Sequence, residues 1–289
     1  MEKKIYDFFL KLFETFVSIV YILIKSSFRI KYSKNNGGKK TIHVLANGPS
    51  LSLMLSKHIE WLKKQDVLVV NYFAINNVFY LIKPKYYVLI DPAYFGDVPY
   101  AKEFECNMRL LFEKFAKVDW DLTLFIPYSH RNVKINYIKE RMNNSRINIL
   151  QFNCTRITGF THFQFFAYKK FWGVPSTKNV LIPSVMLMLN SGFKHIYLYG
   201  AEFSWTKNYN VDSKTGKIYA DDRHFYDNTR IPFNKGGYRF SLNCIVEALG
   251  AMETIEKYAS NIGAKVINRT PGSFIDAFEY ENPENILFL

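Results

Sequence analysis

The chain has 289 residues, 48% of them hydrophobic and 22% charged, with 14 glycines and 10 prolines. That excludes wholesale disorder and any collagen-like or linker-dominated chain. Its three cysteines (Cys106, Cys154, Cys244) are far apart with no CxxC pair, which excludes a disulfide scaffold and a cysteine-built zinc site and suits a reducing compartment. The unusual features are a net charge of +13 and an aromatic content of 17%. Excess positive charge favours anionic partners and says nothing about fold.

Nine of the 38 basic residues and three of the 25 acidic ones lie in residues 1–40. Among them runs an aromatic-rich apolar segment whose longest uncharged stretch, Thr15 to Ile24, is ten residues long. A bilayer-spanning helix needs about twenty, and no small-residue cleavage site follows, so neither a spanning helix nor a secretory signal peptide is expected. Residues 1–32 are read as a basic amphipathic helix on the membrane surface, peripheral at the cytoplasmic face of the inner membrane. The competing readings are a core-packing helix, a dimerising helix that would make the protein a homo-oligomer, and a disordered arm. Residues 33–40, rich in Asn, Gly and Lys, read as a linker, and a single domain is expected over residues 41–289.

Within that domain, Thr41–Ala46 is a short apolar strand stopped by Asn47-Gly48-Pro49-Ser50, and Leu51–Lys64 has helical spacing. Further strands are expected at 66–70, ending at Asn71; at 86–90, ending at Asp91; at 122–126; and at 147–150. A helix over 180–190 precedes a strand at 195–199, which ends at Gly200-Ala201-Glu202. A long helix over 241–262 precedes a last strand at 265–268, ending at Asn268. Strands alternating with helices predict an α/β fold: a parallel sheet with helices on both faces, and a ligand at the carboxyl ends of the strands.

The sharpest local signal is Asn47-Gly48-Pro49-Ser50-Leu51. Glycine lets a backbone approach a ligand, Ser50 can cap the following helix, and a helix N-terminus favours phosphate. The same residues also read as a plain tight turn with a capped helix. Neither GxGxxG nor GxxxxGK[ST] is present.

This turn, the strand ending Val70-Asn71, the run Leu89-Ile90-Asp91-Pro92, the stretch from Leu187 to Phe203 and the segment containing Asn268-Arg-Thr-Pro-Gly-Ser together resemble the bacterial family 42 sialyltransferases. The likeness covers most of residues 41–277 and is weak from about 95 to 175. A wider group of nucleotide-binding domains, some of them pterin pyrophosphokinases, shares the Asn-Gly-Pro-Ser turn. The resemblance implies a single Rossmann-like domain, a GT-A-like variant, acting as an inverting, metal-independent glycosyltransferase on a nucleotide sugar, with no cofactor. By carry-over it implies nucleotide-sugar binding at Asn47, Gly48, Ser50, Asn71, Asp91 and Gly200. The family's Arg-Ile-Thr-Ser-Gly segment aligns best with Pro175–Asn179, making Thr177 a candidate, and Arg156-Ile157-Thr158-Gly159 is a look-alike placed too early. Asp91 stands where the family has Asn, and Ser204 where it has a Tyr that binds the departing phosphate. Lys207, Tyr209 and Arg223 are the substitutes, and UDP-linked hexose or hexofuranose joins CMP-sialic acid among the donors.

A transferase needs a base for the acceptor hydroxyl. His224, in the charged and aromatic stretch 220–227, lies in the interval where the sialyltransferases carry their catalytic His, and its ordinary pKa suits the task. Glu202 is the next candidate, and Trp205 and Tyr209 can stack on sugar rings. Asp119-Trp120-Asp121 matches a metal-holding DxD pattern but precedes a strand instead of following one. The expectation is a membrane-surface glycosyltransferase acting on a cell-surface glycan (lipopolysaccharide or capsule) or a lipid-linked acceptor. A pyrophosphokinase and a non-enzymatic membrane-binding protein are the alternatives. No nucleic-acid partner is expected, since the charge outside residues 1–40 forms no compact stripe.

Overall fold

The structure, a computed structural model, describes residues 2–31, 38, 40–96, 102–223, 228–232 and 237–284. Most of the expected linker, residues 33–37 and 39, lies outside them. In chain order the helices are α1 (Glu2–Lys25), α2 (Leu51–Leu62), α3 (Val78–Ile82), α4 (Lys102–Ala116), α5 (Val133–Met142), α6 (Thr161–Lys169), α7 (Leu181–Asn190) and α8 (Gly237–Asn261). The strands are β1 (Thr41–Leu45), β2 (Val67–Val70), β3 (Tyr86–Val88), β4 (Leu122–Pro127), β5 (Ile147–Phe152), β6 (His195–Tyr199), β7 (Tyr209–Val211), β8 (Ile218–Arg223), β9 (Asn228–Pro232), β10 (Lys265–Asn268) and β11 (Glu279–Tyr280).

Eight strands form one parallel sheet in the order β11-β10-β6-β1-β2-β3-β4-β5. Strands of such a sheet are buried on both faces and so read as continuous apolar runs. In β2, Val67 and Val69 join the core formed with α2, α4 and α5, whereas Leu68 and Val70 join the core formed with α7 and α8. Helix α7 lies wholly inside, with Leu181 to Leu189 all buried, which accounts for its lack of a polar stripe.

The topology positions the site. From β1 the chain builds outward through β2, β3, β4 and β5, then returns to lay β6 on the other side of β1 and continues through β10 to β11. Connections from β1 and β6 therefore leave toward opposite faces, α2 on one and α8 on the other, and a crevice opens at their carboxyl ends.

Two parts differ from expectation. The stretch between the strand at 195–199 and the long helix, to which no strand is assigned from sequence, contains the antiparallel meander β7-β8-β9, in which Asp221 pairs with Arg230 and Arg223 with Asn228. Strands as polar as Ile218–Arg223 and Asn228–Pro232 lack the apolar runs that marked the main sheet. The weak region around 95–175 holds α4, α5 and α6, the first with apolar residues at 108, 111, 112 and 115 facing the core.

Helix α1 ends at Lys25, short of the expected residue 32, and is seated on the segment that follows β5. Ser26 Oγ donates to the Trp172 carbonyl at 2.6 Å and lies 2.7 Å from Thr155 Oγ1. Asn153 accepts from Ser27 N at 2.8 Å. Ser18 Oγ accepts from Thr158 N at 2.9 Å, and Thr15 Oγ1 accepts from Phe160 N at 3.0 Å. The Arg156–Gly159 look-alike thus forms part of the seat of α1, and Arg156 itself is exposed and pairs with Glu247 at 3.5 Å.

Gly159, at φ +105°, lets the two backbones meet. A Cβ there would fall on Thr15 Oγ1 and lie 2.6 Å from its amide nitrogen. Gly159→Ala should therefore loosen α1, raising amide exchange and protease cleavage in residues 2–31 well before the sheet opens. Protection of α1 equal to wild type would show that the close approach is not needed.

Candidate functional site

The crevice at the β1–β6 switch point is an open cleft of about 110 Å³, lined by Asn47, Gly48, Asn71, Gly200 and Glu202 together with Asn179 and Ser204-Trp205. Five of the sequence-predicted residues thus meet in one place. Among the described lining residues Glu202 is the one ionisable side chain.

Glu202 organises the turn. Its Oε1 accepts the Ser50 amide at 2.6 Å, at the start of α2. A helix start carries unsatisfied N–H groups and partial positive charge, so a carboxylate there is stabilised. Gly48 makes room for it: a Cβ on Gly48 would fall on Glu202 Oε2 and lie 2.6 Å from the Gly200 carbonyl. Gly200, at φ +65°, turns its carbonyl to accept Gly48 N at 2.8 Å. Ser50 does not cap α2 with its hydroxyl, as its backbone is already helical at φ −63° and ψ −19°. The expected cap is replaced by Glu202, which sequence spacing alone could not bring across 152 residues.

The loop carrying Glu202 is fixed from the β10 side. Ala201 N donates to Thr270 Oγ1 at 3.0 Å, Ser273 Oγ donates to the Ala201 carbonyl at 2.7 Å, and Phe274 N donates to the Glu202 carbonyl at 2.8 Å. Asn268, among the polar strand ends, is buried and holds its own turn: Oδ1 accepts Thr270 N at 3.1 Å and Nδ2 donates to the Ile275 carbonyl at 3.2 Å. The Asn268-Arg-Thr-Pro-Gly-Ser segment thus positions Glu202.

Two buried acceptor oxygens on residues that line the cleft have no protein donor. Asn47 Nδ2 donates to the Val70 carbonyl at 3.1 Å, which leaves Oδ1 buried and unpartnered, and Glu202 Oε2 is in the same state. Leaving such groups unmade costs about 1–3 kcal/mol each. Asn71 is held in the left-handed region at φ +52° by the Tyr87 hydroxyl, which donates to its carbonyl.

Other predicted residues lie elsewhere. Asp91 is exposed and accepts Ala93 N at 2.9 Å, capping the short 3-10 helix Pro92–Phe95. Thr177 is exposed and does not line the cleft, whereas Asn179, two residues on, does. Ser50 lines a separate cavity with His58 and Arg269, on the other side of its turn. Tyr209, outside the cleft lining, packs edge-on to Tyr238 with rings 5.7 Å apart, and burial holds its phenol above the ordinary range. His224 lies outside the described residues, as does the side chain of Arg223 at the end of β8. Asp119 and Asp121 sit at the amino end of β4, away from the cleft, and pair with Lys83 at 2.9 Å and Arg146 at 3.2 Å. Among the described residues no cluster of three or more His, Cys, Asp or Glu could hold a metal ion.

Sequence reasoning missed Asn179 and Asn208, both lining the cleft. The one available signal was Asn179 directly before an apolar helix, where its Oδ1 accepts Leu181 N at 2.7 Å. Gly48→Ala should destabilise the fold by about 1–3 kcal/mol through overpacking. Combining it with Glu202→Ala should cost less than the sum of the two, since the carboxylate is then absent. Strict additivity in urea denaturation would separate the two residues.

No protein-family model matches the chain, and no curated protein does. In fold the chain is similar to a solved structure, the MAf glycosyltransferase from Magnetospirillum magneticum AMB-1, at 10% sequence identity and a TM-score of 0.48, over 91% of this chain and 35% of that one. The chain spans about a third of that protein's length.

Proposed function

We propose that the protein is an inverting, metal-independent glycosyltransferase that takes a nucleotide sugar, CMP-sialic acid-like or UDP-linked, and transfers the sugar to a cell-surface glycan or a lipid-linked acceptor. The observation that carries the reading is the pair of buried, unpartnered acceptors, Asn47 Oδ1 and Glu202 Oε2, on residues that line the switch-point cleft. An amide oxygen and a carboxylate oxygen both need donors. Ribose and sugar hydroxyls supply them; phosphate oxygens do not. With Glu202 already on the Ser50 amide, the start of α2 is a poor phosphate seat. In this reading the turn holds the hydroxyl-bearing part of the donor. The phosphate lies toward residues 204–223, where Lys207, Tyr209 and Arg223 are the candidate partners. His224 is the proposed base that takes the acceptor proton, with Trp205 on the wall of the cleft for stacking.

The pyrophosphokinase alternative would need a magnesium–ATP site, for which the sequence offers Asp119 with Asp121 and Asp221 with Asp222; the first pair is engaged with Lys83 and Arg146 at the opposite end of the sheet, and the side chains of the second lie outside the described residues. A thermal-shift screen of the full chain against CMP, UDP, GDP and ATP, with and without magnesium, separates the readings. CMP or UDP should stabilise without magnesium, by about 2.7 kcal/mol at a hundredfold excess over the dissociation constant. Stabilisation by magnesium–ATP alone would sink the proposal.

Two variants test the roles. Glu202→Gln keeps an acceptor for Ser50 N but turns the free oxygen into a donor. It should keep the fold and weaken the stabilising nucleotide by about ten- to a hundredfold; unchanged affinity would remove Glu202 from the donor site. His224→Ala should slow transfer by about 10²–10⁴-fold with nucleotide affinity kept, and a normal rate would mean that another residue is the base.

A further inference from the structure

Helix α1 is packed inside out. The residues turned to the body are Thr15, Ser18 and Ile22 of the helix and Ser26 just after it, spaced three and four apart along one stripe, and three of the four are hydroxyl residues. The residues it turns away are its largest apolar ones: Phe9, Phe13 and Phe16 are 61%, 65% and 63% exposed, and Leu23 and Ile24 are 65% and 61% exposed. A surface helix of a water-soluble protein does the reverse, burying its apolar stripe and exposing its polar one. Small and hydroxyl residues at the contact, with a glycine allowing backbone approach, are how helices pack where the surroundings are apolar. Ser18, Ser26 and Gly159 make such a contact.

The exposed apolar surface continues onto the body. Phe8 meets Phe160 with rings 5.5 Å apart, and Phe28 and Phe166 both lie edge-on to Trp172 at 5.4 Å. Phe166 is itself 50% exposed, and Lys169 and Lys170 beside it are exposed. Basic side chains flank the helix at both ends: Lys3 and Lys4 at one, Lys25 and Arg29 at the other, all exposed. Contiguous apolar surface on this scale marks an interaction site, and the basic flanks match anionic headgroups. No helix among the described residues is long and apolar enough to cross a membrane.

We propose that α1, with the Phe160–Trp172 surface beside it, is a docking face for an anionic bilayer, and that α1 lies in the interface plane with its hydroxyl stripe held to the body. This does not depend on the nucleotide-sugar reading.

The test uses the full chain and sedimentation with vesicles. Wild type should bind vesicles of phosphatidylglycerol mixed with phosphatidylcholine, and bind phosphatidylcholine alone at least about tenfold more weakly, since each basic residue near an anionic surface adds to affinity. The triple variant F9E/F13E/F16E changes only exposed positions, so its thermal midpoint should match wild type, and it should bind at least about a hundredfold more weakly. Val246→Glu, which removes an apolar side chain 69% exposed on α8, should bind as wild type does. The proposal is overturned if wild type does not sediment with anionic vesicles or if the folded triple variant sediments as wild type does. It is equally overturned if the triple variant abolishes a concentration-dependent dimer while vesicles bind neither protein. Nucleotide thermal shifts should be the same for wild type and the triple variant, which keeps this result separate from the donor site.

Discussion

One contact holds the carboxyl edge of the sheet together: the Glu202 carboxylate on the Ser50 amide, at the start of α2. It joins the turn after β1 to the turn after β6, the two strands between which the sheet changes direction. Gly48 must lack a Cβ for the carboxylate to reach that amide. Gly200 must turn left-handed for its carbonyl to meet Gly48 N. Thr270, Ser273 and the Phe274 amide must hold residues 201 and 202 from behind. Any of these can be lost singly at a cost of about 1–3 kcal/mol. Together they give a long acidic side chain one position, which propensity alone would never fix.

That position has a chemical consequence. A helix start usually offers N–H groups to an anion. Here the protein supplies the anion itself, and the residues that line the cleft carry two buried, unpartnered acceptors, Glu202 Oε2 and Asn47 Oδ1. Two buried acceptors left unpaired are an unfavourable arrangement in a free protein. It is relieved by any molecule that brings hydroxyl or amino donors, and worsened by one that brings only phosphate oxygens.

Much of this was legible in sequence because a parallel sheet writes its strands plainly. Val67-Leu68-Val69-Val70 and His195-Ile196-Tyr197-Leu198-Tyr199 are short apolar runs closed by polar or glycine residues, and they form strands at or within a residue of those bounds. Asn47, Gly48, Asn71 and Gly200 could be placed at one cleft because the carboxyl ends of the strands converge on one edge in such folds. Pairings across long separations left no such mark. Glu202 reads as one acid after a strand; that it sits on a helix start 152 residues earlier is a property of the β1–β6 register. Asp91 shows the converse failure: an acid at a strand end that spends its side chain on the next turn. The meander β7-β8-β9 was missed because Asp221-Asp222-Arg223 carries no apolar alternation to mark a strand.

Helix α1 shows a different limit of pattern reading. Its periodicity gives an apolar side and a hydroxyl side, and in water the first would be expected to face the protein. The orientation is reversed because the body at 153–160 and at Trp172 offers what hydroxyls need: the Thr158 and Phe160 amides, the Trp172 carbonyl and the Thr155 hydroxyl. Burying Ser18 and Ser26 without those partners would be unfavourable; with them the stripe is satisfied, and Gly159 lets it close. The apolar side is then left outward with no protein to cover it among the described residues. A hydrophobic pattern tells which side of a helix avoids water. Which apolar phase that side meets is decided by where its polar side finds partners, and here those partners belong to the body.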